Sequence, residues 1–247
     1  MAFSFFKKHS FHPWEGFIHM CFPVQCLVCN YPIMTNSKYG NDHAAEGPDW
    51  LCISCQLEMP RTSWHSFREN KLERQFWGRV RLESAMARWH FSPKGPVRKI
   101  LHAIKYQNRK DVAIGCGAQY GQIIKDTLLG LEVDYLTAVP MDLAKKRARG
   151  YNQAEMLASG ISEATGLAMC NDALYRLPGG LSQTAKNRFD RWKSVSRLYM
   201  LGTGSFENKH FMLVDDVITT GATLERCAAL LVDAGARVSV CAIAAVD

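Results

Sequence analysis

The amino-acid sequence predicts an α/β protein with a doubly wound, mostly parallel sheet, preceded by a small cysteine-rich module. Apolar runs of strand length alternate with amphipathic helical stretches between residues 81 and 244, an order that favours a parallel sheet covered by helices. Two Cys-x-x-Cys pairs stand near the start of the chain. The length of 247 residues is enough for one substantial core and a small appendage. We therefore expect a module over residues 1–62 and a main domain over residues 63–247.

Hydrophobic periodicity places the elements of the main domain. Apolar residues three and four positions apart indicate helices, and short continuous apolar runs indicate buried strands. The stretch after Pro140 is rich in lysine and arginine and is interpreted as a basic loop. Gly115 and Gly117 weaken the helix propensity of the segment around them. The predicted strands cover residues 81–91, 134–140, 211–214 and 237–244, and the predicted helices cover 97–106, 111–129, 152–165 and 224–234.

The cysteines near the start have the spacing of a metal site. Cys26 and Cys29 form one Cys-x-x-Cys pair, Cys52 and Cys55 form the other, and 22 residues separate the pairs. Four thiolates complete the tetrahedral coordination of one zinc ion, which leaves no position for a substrate and indicates a structural role. A redox dithiol needs only one such pair. Cys21 is an alternative ligand.

Composition narrows the class of protein. The net charge of +7 favours anionic ligands without establishing a nucleic-acid partner. No apolar run approaches the 18 residues or so of a membrane span, and the N-terminus lacks the apolar core of a signal peptide. These features indicate a cytoplasmic protein. Aromatic residues are frequent in the first 17 positions, where they could dock on the main domain or face a partner or a membrane surface.

The most informative stretch is residues 211–224, an apolar strand followed by two carboxylates, a hydroxyl-rich turn and a helix start. The unpaired N–H groups and the dipole of a helix N-terminus favour a phosphate. Gly221 permits close approach of the backbone, and the threonines of residues 219–223 add hydroxyl donors. Asp215 and Asp216 are suited to sugar hydroxyls or a magnesium-bound sugar. The stretch therefore predicts a ribose 5-phosphate held at both ends.

This stretch resembles the signature of the type I phosphoribosyltransferases, which bind phosphoribosyl pyrophosphate (PRPP) together with magnesium. The resemblance implies that Asp215 and Asp216 hold the ribose hydroxyls. It also implies that the following loop holds the 5-phosphate. The position where the 6-oxopurine salvage enzymes of that group carry an aspartate is Thr219, which disfavours that activity. The residues that would contact the 5-phosphate are Thr219, Thr220, Gly221, Ala222 and Thr223.

A second segment resembles one family within this group. Residues 139–153 are similar to the Val-Pro … Arg-Gly-Tyr-Asn-Gln segment of the ComF family, and residues 101–106 and the double Cys-x-x-Cys match it as well. Lys146, Arg147 and Arg149 can neutralise a departing pyrophosphate, which makes the two arginines candidate catalytic residues beside the acidic pair. Asn152 and Gln153 either cap the next helix or line the pocket. The positions that could form a mobile basic flap or a solvated surface are Gln183, Lys186, Arg188 and Arg191.

Two functions remain open from the sequence. The first is a phosphoribosyltransferase that transfers the ribosyl group from PRPP to an unidentified acceptor and releases pyrophosphate. The second is a non-catalytic adaptor in DNA uptake and natural transformation, with which ComF proteins are associated. The basic clusters and the zinc module would then serve a nucleotide, single-stranded DNA or a DNA-processing protein. The sequence leaves the oligomeric state open.

Overall fold

The computed structural model describes residues 23–33, 48–177 and 198–246. The chain divides into two compact units, Met1–Glu58 and Met59–Asp247. Residues 59–62 belong to the second unit, where the N–H of Thr62 donates to the carbonyl of Arg88 at 2.9 Å. The aromatic residues at the start of the sequence lie outside the described residues. Within the described ranges, no helix combines the length and the apolar character that a membrane span requires.

The first unit is organised around its cysteine turns. The N–H of Cys26 donates to the carbonyl of Tyr31 at 2.9 Å, and the chain reverses at Asn30, whose φ is +61°. Asparagine tolerates this left-handed conformation better than most residues. A short helix α1, Ile53–Leu57, begins directly after Cys52. The N–H of Leu27 donates to the carbonyl of Trp50 at 3.0 Å and so joins the two cysteine turns.

The second unit contains the alternating strands and helices that the sequence predicts. The helices are α2 (Lys71–Arg74), α3 (Pro96–Tyr106), α4 (Lys110–Gly130), α5 (Leu143–Arg149), α6 (Gln153–Thr165) and α7 (Ala222–Asp233). The strands are β1 (Ser84–His90), β2 (Tyr135–Ala138), β3 (Ala168–Met169), β4 (Leu174–Arg176), β5 (Tyr199–Leu201), β6 (His210–Ile218) and β7 (Arg237–Ala245).

Five strands form one parallel sheet in the order β1-β7-β6-β2-β3, which confirms the predicted fold class. From β2 the chain moves outward to β3, and from β6 it moves to β7 on the other side. The order of the strands therefore reverses between β2 and β6, and ligands of such sheets bind outside the carboxyl ends of the strands at this point. Ala138, the last residue of β2, is paired with Val214, so the chain that leaves β2 emerges beside Asp215 and Asp216, which lie within the longer strand β6.

The two glycines inside α4 and α6 have a packing function. A Cβ on Gly117 would lie 2.1 Å from the carbonyl oxygen of Leu157, and a Cβ on Gly160 would lie 2.0 Å from the carbonyl oxygen of Ile114. The two helices therefore meet backbone to backbone. Glycine weakens a helix by about 1 kcal/mol relative to alanine, and this close contact explains why it is present.

Residues 143–149, predicted to be part of a basic loop, are helical in the structure, so that prediction was wrong. The Asp142 side chain accepts hydrogen bonds from the N–H groups of Ala144 and Lys145 and caps the start of α5. Gly150, with a φ of +84°, ends the helix. The residues between these caps are leucine, alanine, lysine and arginine, which are all good helix formers. The two caps therefore make this segment a helix and not a loop.

Candidate functional site

A cavity of about 330 Å³ lies at the carboxyl ends of β2 and β6. Its walls come from the ends of α3, β2, β4 and β6, from α5 and from the starts of β5, α6 and α7. Among the described residues, four basic and three acidic side chains line it. They are Lys105, Lys145, Arg149, Arg176, Asp142, Asp215 and Asp216. The cavity therefore concentrates positive charge around a small acidic centre, which suits a polyanion that also carries hydroxyl groups.

The acidic centre is the pair that the sequence singled out. Asp215 and Asp216 both line the cavity, and the N–H of Asp216 donates to Oδ1 of Asp215 at 2.8 Å. Burial, reinforced by the neighbouring charge of Asp216, raises the pKa of Asp215 to about 7. Near neutral pH Asp215 is therefore partly protonated.

Lys105 belongs to this centre, although its position in the sequence gave no role for it. It lies in the last turn of α3, and its Nζ is 2.8 Å from Oδ2 of Asp216. The two side chains expose only 23% and 12% of their surface. A lysine four residues after the buried Leu101 lies on the inner side of a helix, and that spacing was the available signal.

The predicted phosphate loop starts α7. Gly221 precedes the helix with a φ of +71°, a conformation that favours glycine, and Thr223 reaches the cavity. The side chains of Thr219 and Thr220 are exposed, and the N–H of Ala222 donates to Oγ1 of Thr220 at 3.4 Å. The loop has the form of an anion site at a helix N-terminus.

Residues after α2 support this loop from outside, and sequence reasoning missed them. Gln75 Nε2 donates to the carbonyl of Thr219 at 2.7 Å, and Arg79 Nη1 donates to the carbonyl of Thr220 at 3.0 Å. A Cβ on Gly221 would lie 2.8 Å from the ring of Phe76. Nothing in the sequence links positions that are more than 140 residues apart, so this contact required the structure.

The basic side of the cavity is only partly the one expected. Lys145 and Arg149 line the cavity because residues four positions apart share one face of α5. The Nζ of Lys146 lies 2.9 Å from both carboxylate oxygens of Glu155, and Arg147 is not among the residues that line this cavity. The helical spacing that selects Lys145 was hidden by the interpretation of this segment as a loop.

Asn152 caps the helix and also lines the cavity, and Gln153 lines the cavity. Asn152 accepts a hydrogen bond from the N–H of Ala154, which caps α6, and it donates to the carbonyl of Val139 at 2.9 Å. Gln153 is 2% exposed, lines the cavity, and its Nε2 has no hydrogen-bond partner in the described part of the chain. A buried amide without a partner is costly and is common where a ligand supplies the missing contact.

Two further cavity residues come from the antiparallel strands β4 and β5, which the sequence did not predict. Arg176 Nη1 donates to the hydroxyl of Tyr199 at 3.0 Å, and Arg176 Nε lies 3.7 Å from Oδ2 of Asp142. The N–H of Leu177 donates to the carbonyl of Leu198 at 3.0 Å. The four predicted residues of the basic segment between these positions, Gln183, Lys186, Arg188 and Arg191, lie outside the described residues.

The four predicted metal ligands come together in the first unit. The Sγ atoms of Cys26, Cys29, Cys52 and Cys55 all lie within 4.8 Å of one another, and those of Cys29 and Cys52 are 3.6 Å apart. Four thiolates around a tetrahedral zinc ion stand roughly 3.8 Å apart, given Zn–S bonds of about 2.3 Å. The cluster could therefore hold a zinc ion. Cys21 lies outside the described residues.

Comparison with known proteins supports a phosphoribosyltransferase-like fold for the main domain. A family model described as a phosphoribosyl transferase domain matches residues 132–247. DNA utilization protein YhgH of Salmonella typhimurium is 27% identical over 150 residues, which are 57% of this chain and 63% of that protein. The chain thus matches about three fifths of the length of that relative.

Shorter matches extend this group of relatives. Competence protein F of Haemophilus influenzae is 32% identical over 95 residues, 38% of this chain and 42% of that protein. Competence protein ComFC of Bacillus subtilis is 32% identical over 108 residues, 43% of this chain and 42% of that protein.

Two solved structures align with the chain. One is the glutamine phosphoribosylpyrophosphate amidotransferase of B. subtilis complexed with ADP and GMP, which is 23% identical, with a TM-score of 0.40 over 56% of this chain and 30% of that one. The other is the hypoxanthine-guanine phosphoribosyl transferase of L. donovani, which is 13% identical, with a TM-score of 0.33 over 53% of this chain and 66% of that one. The parallel sheet, the match of residues 132–247 to a phosphoribosyl transferase domain and the similarity to competence and DNA-utilization proteins together support a ComF-like protein with a phosphoribosyltransferase-like domain.

Proposed function

We propose that the chain binds PRPP with magnesium and transfers its phosphoribosyl group to a nitrogen-bearing acceptor, in a process linked to DNA uptake. The observation that carries this proposal is that one cavity brings together an acidic pair, Thr223 at the N-terminus of a helix and two cations of α5. These are the three kinds of group that PRPP needs along its length. The proposal rests on this combination because each feature alone has structural explanations.

The ligand would lie across the carboxyl ends of the strands. Its 5-phosphate would meet the N-terminus of α7 over residues 219–223, and its ribose hydroxyls would meet Asp215 and Asp216. The pyrophosphate would lie toward Lys145 and Arg149. Oxygen ligands suit magnesium, and the two carboxylates are the groups of this cavity that would meet an ion arriving with PRPP.

The chemistry needs little beyond positioning and charge. The bond between C1 and the pyrophosphate oxygen breaks, and its electron pair leaves with pyrophosphate. A nitrogen of the acceptor forms the new bond to C1 and loses one proton. Cations fixed beside the departing oxygen stabilise the charge that develops there, and no covalent intermediate with the protein is required.

We propose that the cysteine cluster of the first unit holds a structural zinc ion. The four sulfur atoms are close enough to share one ion, and four thiolates leave no open coordination position. The ion would stabilise the turns around residues 26–29 and 52–55 because a unit of this size buries too little apolar surface by itself.

Calorimetry tests PRPP binding directly. We expect the wild-type protein to release or take up heat with PRPP and magnesium, and we expect Asp215→Ala and Asp216→Ala to abolish this signal. Asp126→Ala, which removes an exposed carboxylate of α4, is the matched control and should bind as the wild type does. Absence of heat with the wild type, or equal heat in the acidic-pair variants, would contradict the proposed site.

A second candidate function is a nucleotide- or single-stranded-DNA-binding adaptor without catalysis in natural transformation. It is favoured by the relatives, whose names concern DNA utilization and competence and not transfer chemistry. Release of pyrophosphate from PRPP with a panel of bases and amines separates the two functions. Binding of single-stranded DNA that survives Asp216→Ala, with no pyrophosphate release from any acceptor, would favour the adaptor.

A further inference from the structure

The ion pair between Lys105 and Asp216 occupies the place where the proposed ligand would put its ribose. The Nζ of Lys105 lies 2.8 Å from Oδ2 of Asp216, and both residues line the cavity. A ribose hydroxyl that donates to this carboxylate competes with the ammonium for the same oxygen. The two contacts are therefore coupled, and ligand binding must either share the carboxylate or displace the lysine.

The backbone that carries Lys105 is held in place. The hydroxyl of Tyr151 donates to the carbonyl of Ile104, and the side chain of Ile104 is fully buried. The N–H of Gln107 donates to the carbonyl of Ala103 at 3.0 Å and closes the helix. Movement is thus confined to the flexible four-carbon side chain of Lys105, which can swing its ammonium through several ångströms.

Cations of α5 lie near Lys105 along the same wall of the cavity. Tyr106 follows Lys105, and the guanidinium of Arg149 stands 5.5 Å from the centre of the Tyr106 ring. Lys105 thus stands between the acidic centre and the cations of α5 that the proposed function assigns to pyrophosphate. A displaced ammonium in this position needs a new anionic partner, because an unpaired charge in a largely buried site is costly.

We propose that Lys105 is an exchanging counter-ion, which neutralises Asp216 in the ligand-free protein and passes to the pyrophosphate when PRPP binds. This inference rests on the proposed function, since it requires PRPP in the cavity. Because of this exchange, the ribose can bind the acidic pair only when the ligand carries an anionic group on C1. Lys105 therefore discriminates PRPP from ribose 5-phosphate, which carries no group at C1 to receive the ammonium.

The first test compares two ligands in one variant. In calorimetry with magnesium, Lys105→Met should lower the affinity for PRPP at least 10-fold, roughly the effect of one lost charge-assisted contact. The affinity for ribose 5-phosphate should change less than 3-fold. Lys105→Arg keeps the charge and should restore most of the PRPP affinity. Lys125→Met makes the same change at an exposed position of α4 and should leave both affinities unchanged.

The second test does not depend on the folding of the Lys105 variant. Asp216→Asn frees the ammonium, so pyrophosphate alone should bind about 5-fold more tightly than it binds the wild type. Asp215→Asn removes a neighbouring carboxylate that forms no ion pair of its own with Lys105 in the structure, and its gain should be clearly smaller. The difference between the two variants isolates the ion pair from the general loss of negative charge.

Three outcomes are decisive. Equal weakening of PRPP and ribose 5-phosphate in Lys105→Met would overturn the exchange and leave Lys105 as a fixed partner of Asp216. Unchanged or weaker binding of pyrophosphate in Asp216→Asn would overturn it as well. A wild-type protein that binds no PRPP would instead contradict the proposed function, so the two failures are distinguishable.

Discussion

The cysteine cluster and the cavity of the main domain are both sites of several converging side chains, but they are encoded in different ways. The four cysteines come from two short motifs whose spacing already predicts one metal ion. The cavity draws its charged residues from positions between 105 and 216, on five different elements or connections. A site built from local motifs can be predicted residue by residue. A site assembled by strand order can be predicted only where a motif happens to lie at the right strand end.

The largest effect should come from breaking the local site. In Cys52→Ser we expect the zinc content to fall from about one equivalent to near zero, because a structural zinc ion contributes on the order of 10 kcal/mol to folding. Elemental analysis measures this, and limited proteolysis should then cleave within residues 48–58. Cys170→Ser, a half-buried cysteine of the second unit, is the control and should retain the metal. Retention of zinc by Cys52→Ser would remove the cluster from consideration as a metal site.

A packing change should destabilise the assembled site without touching it. Gly160→Ala forces a methyl group against the carbonyl of Ile114, and we expect a loss of about 3 kcal/mol, or a Tm about 10 °C lower for the second unit. Thermal unfolding followed by circular dichroism measures the change, and the zinc content should stay the same. Gly130→Ala, where a Cβ meets nothing within 4 Å, should be neutral or slightly stabilising. If both variants melt alike, the close contact of α4 and α6 does not limit stability.

The buried acidic pair should make the stability of the protein depend on pH. Because burial raises the pKa of Asp215 from 3.8 to about 7, the unfolded chain releases this proton across a range in which the folded chain keeps it. The native protein therefore loses stability as the pH rises from about 4 to 7. Asp215→Asn removes this loss of stability, which amounts to about 2 kcal/mol after allowance for partial exposure. The Tm difference between the variant and the wild type should therefore be about 5 °C larger at pH 8 than at pH 5.

Asp216→Asn is the control for this pH dependence. It leaves the burial of Asp215 in place and removes only the neighbouring charge, so its gain at pH 8 should be clearly smaller than that of Asp215→Asn. A constant Tm difference between Asp215→Asn and the wild type from pH 5 to pH 8 would contradict the raised pKa.

The smallest expected effect is a difference in PRPP affinity between substitutions of two neighbouring lysines of α5. Lys145 lines the cavity, whereas Lys146 is bound to Glu155 outside it. Lys145→Met should weaken PRPP about 10-fold, the value of one charge-assisted contact of about 1.4 kcal/mol, and Lys146→Met should weaken it less than 2-fold. Calorimetry with both variants gives the answer. The opposite ranking would mean that the ligand reaches α5 from another side.

Much of the fold could be predicted because its signals are local. The long strands β6 and β7 are mostly apolar, and the helices show apolar periodicity, so the parallel sheet follows from their alternation. The strands that were missed, β3, β4 and β5, have only two or three residues. Such short pairings depend on neighbouring strands and leave too little pattern to detect.

The acidic pair could be located for the same reason, since it directly follows the apolar run of a strand. The roles of Lys105 and Arg176 could not be predicted, although helical spacing placed Lys105 on the inner side of its helix. These roles depend on which strand ends meet, and the switch between β2 and β6 is a property of the whole chain. Lys145 was missed through a different error. Two caps, Asp142 and Gly150, turn a basic segment into a helix and thereby choose which of its cations share a face.

The contacts that Gln75 and Arg79 make with the phosphate loop also fix the direction of its peptide planes. In a trans peptide the C=O and the following N–H point in opposite directions. Since the carbonyls of Thr219 and Thr220 turn toward Gln75 and Arg79, the N–H groups of Thr220 and Gly221 turn away from them. Gln75 and Arg79 bind only the loop carbonyls in these two contacts, on the side opposite the N–H groups. They thus orient the N–H donors of the loop before an anion binds. Loss of either side chain would let a peptide flip and replace a donor with a carbonyl.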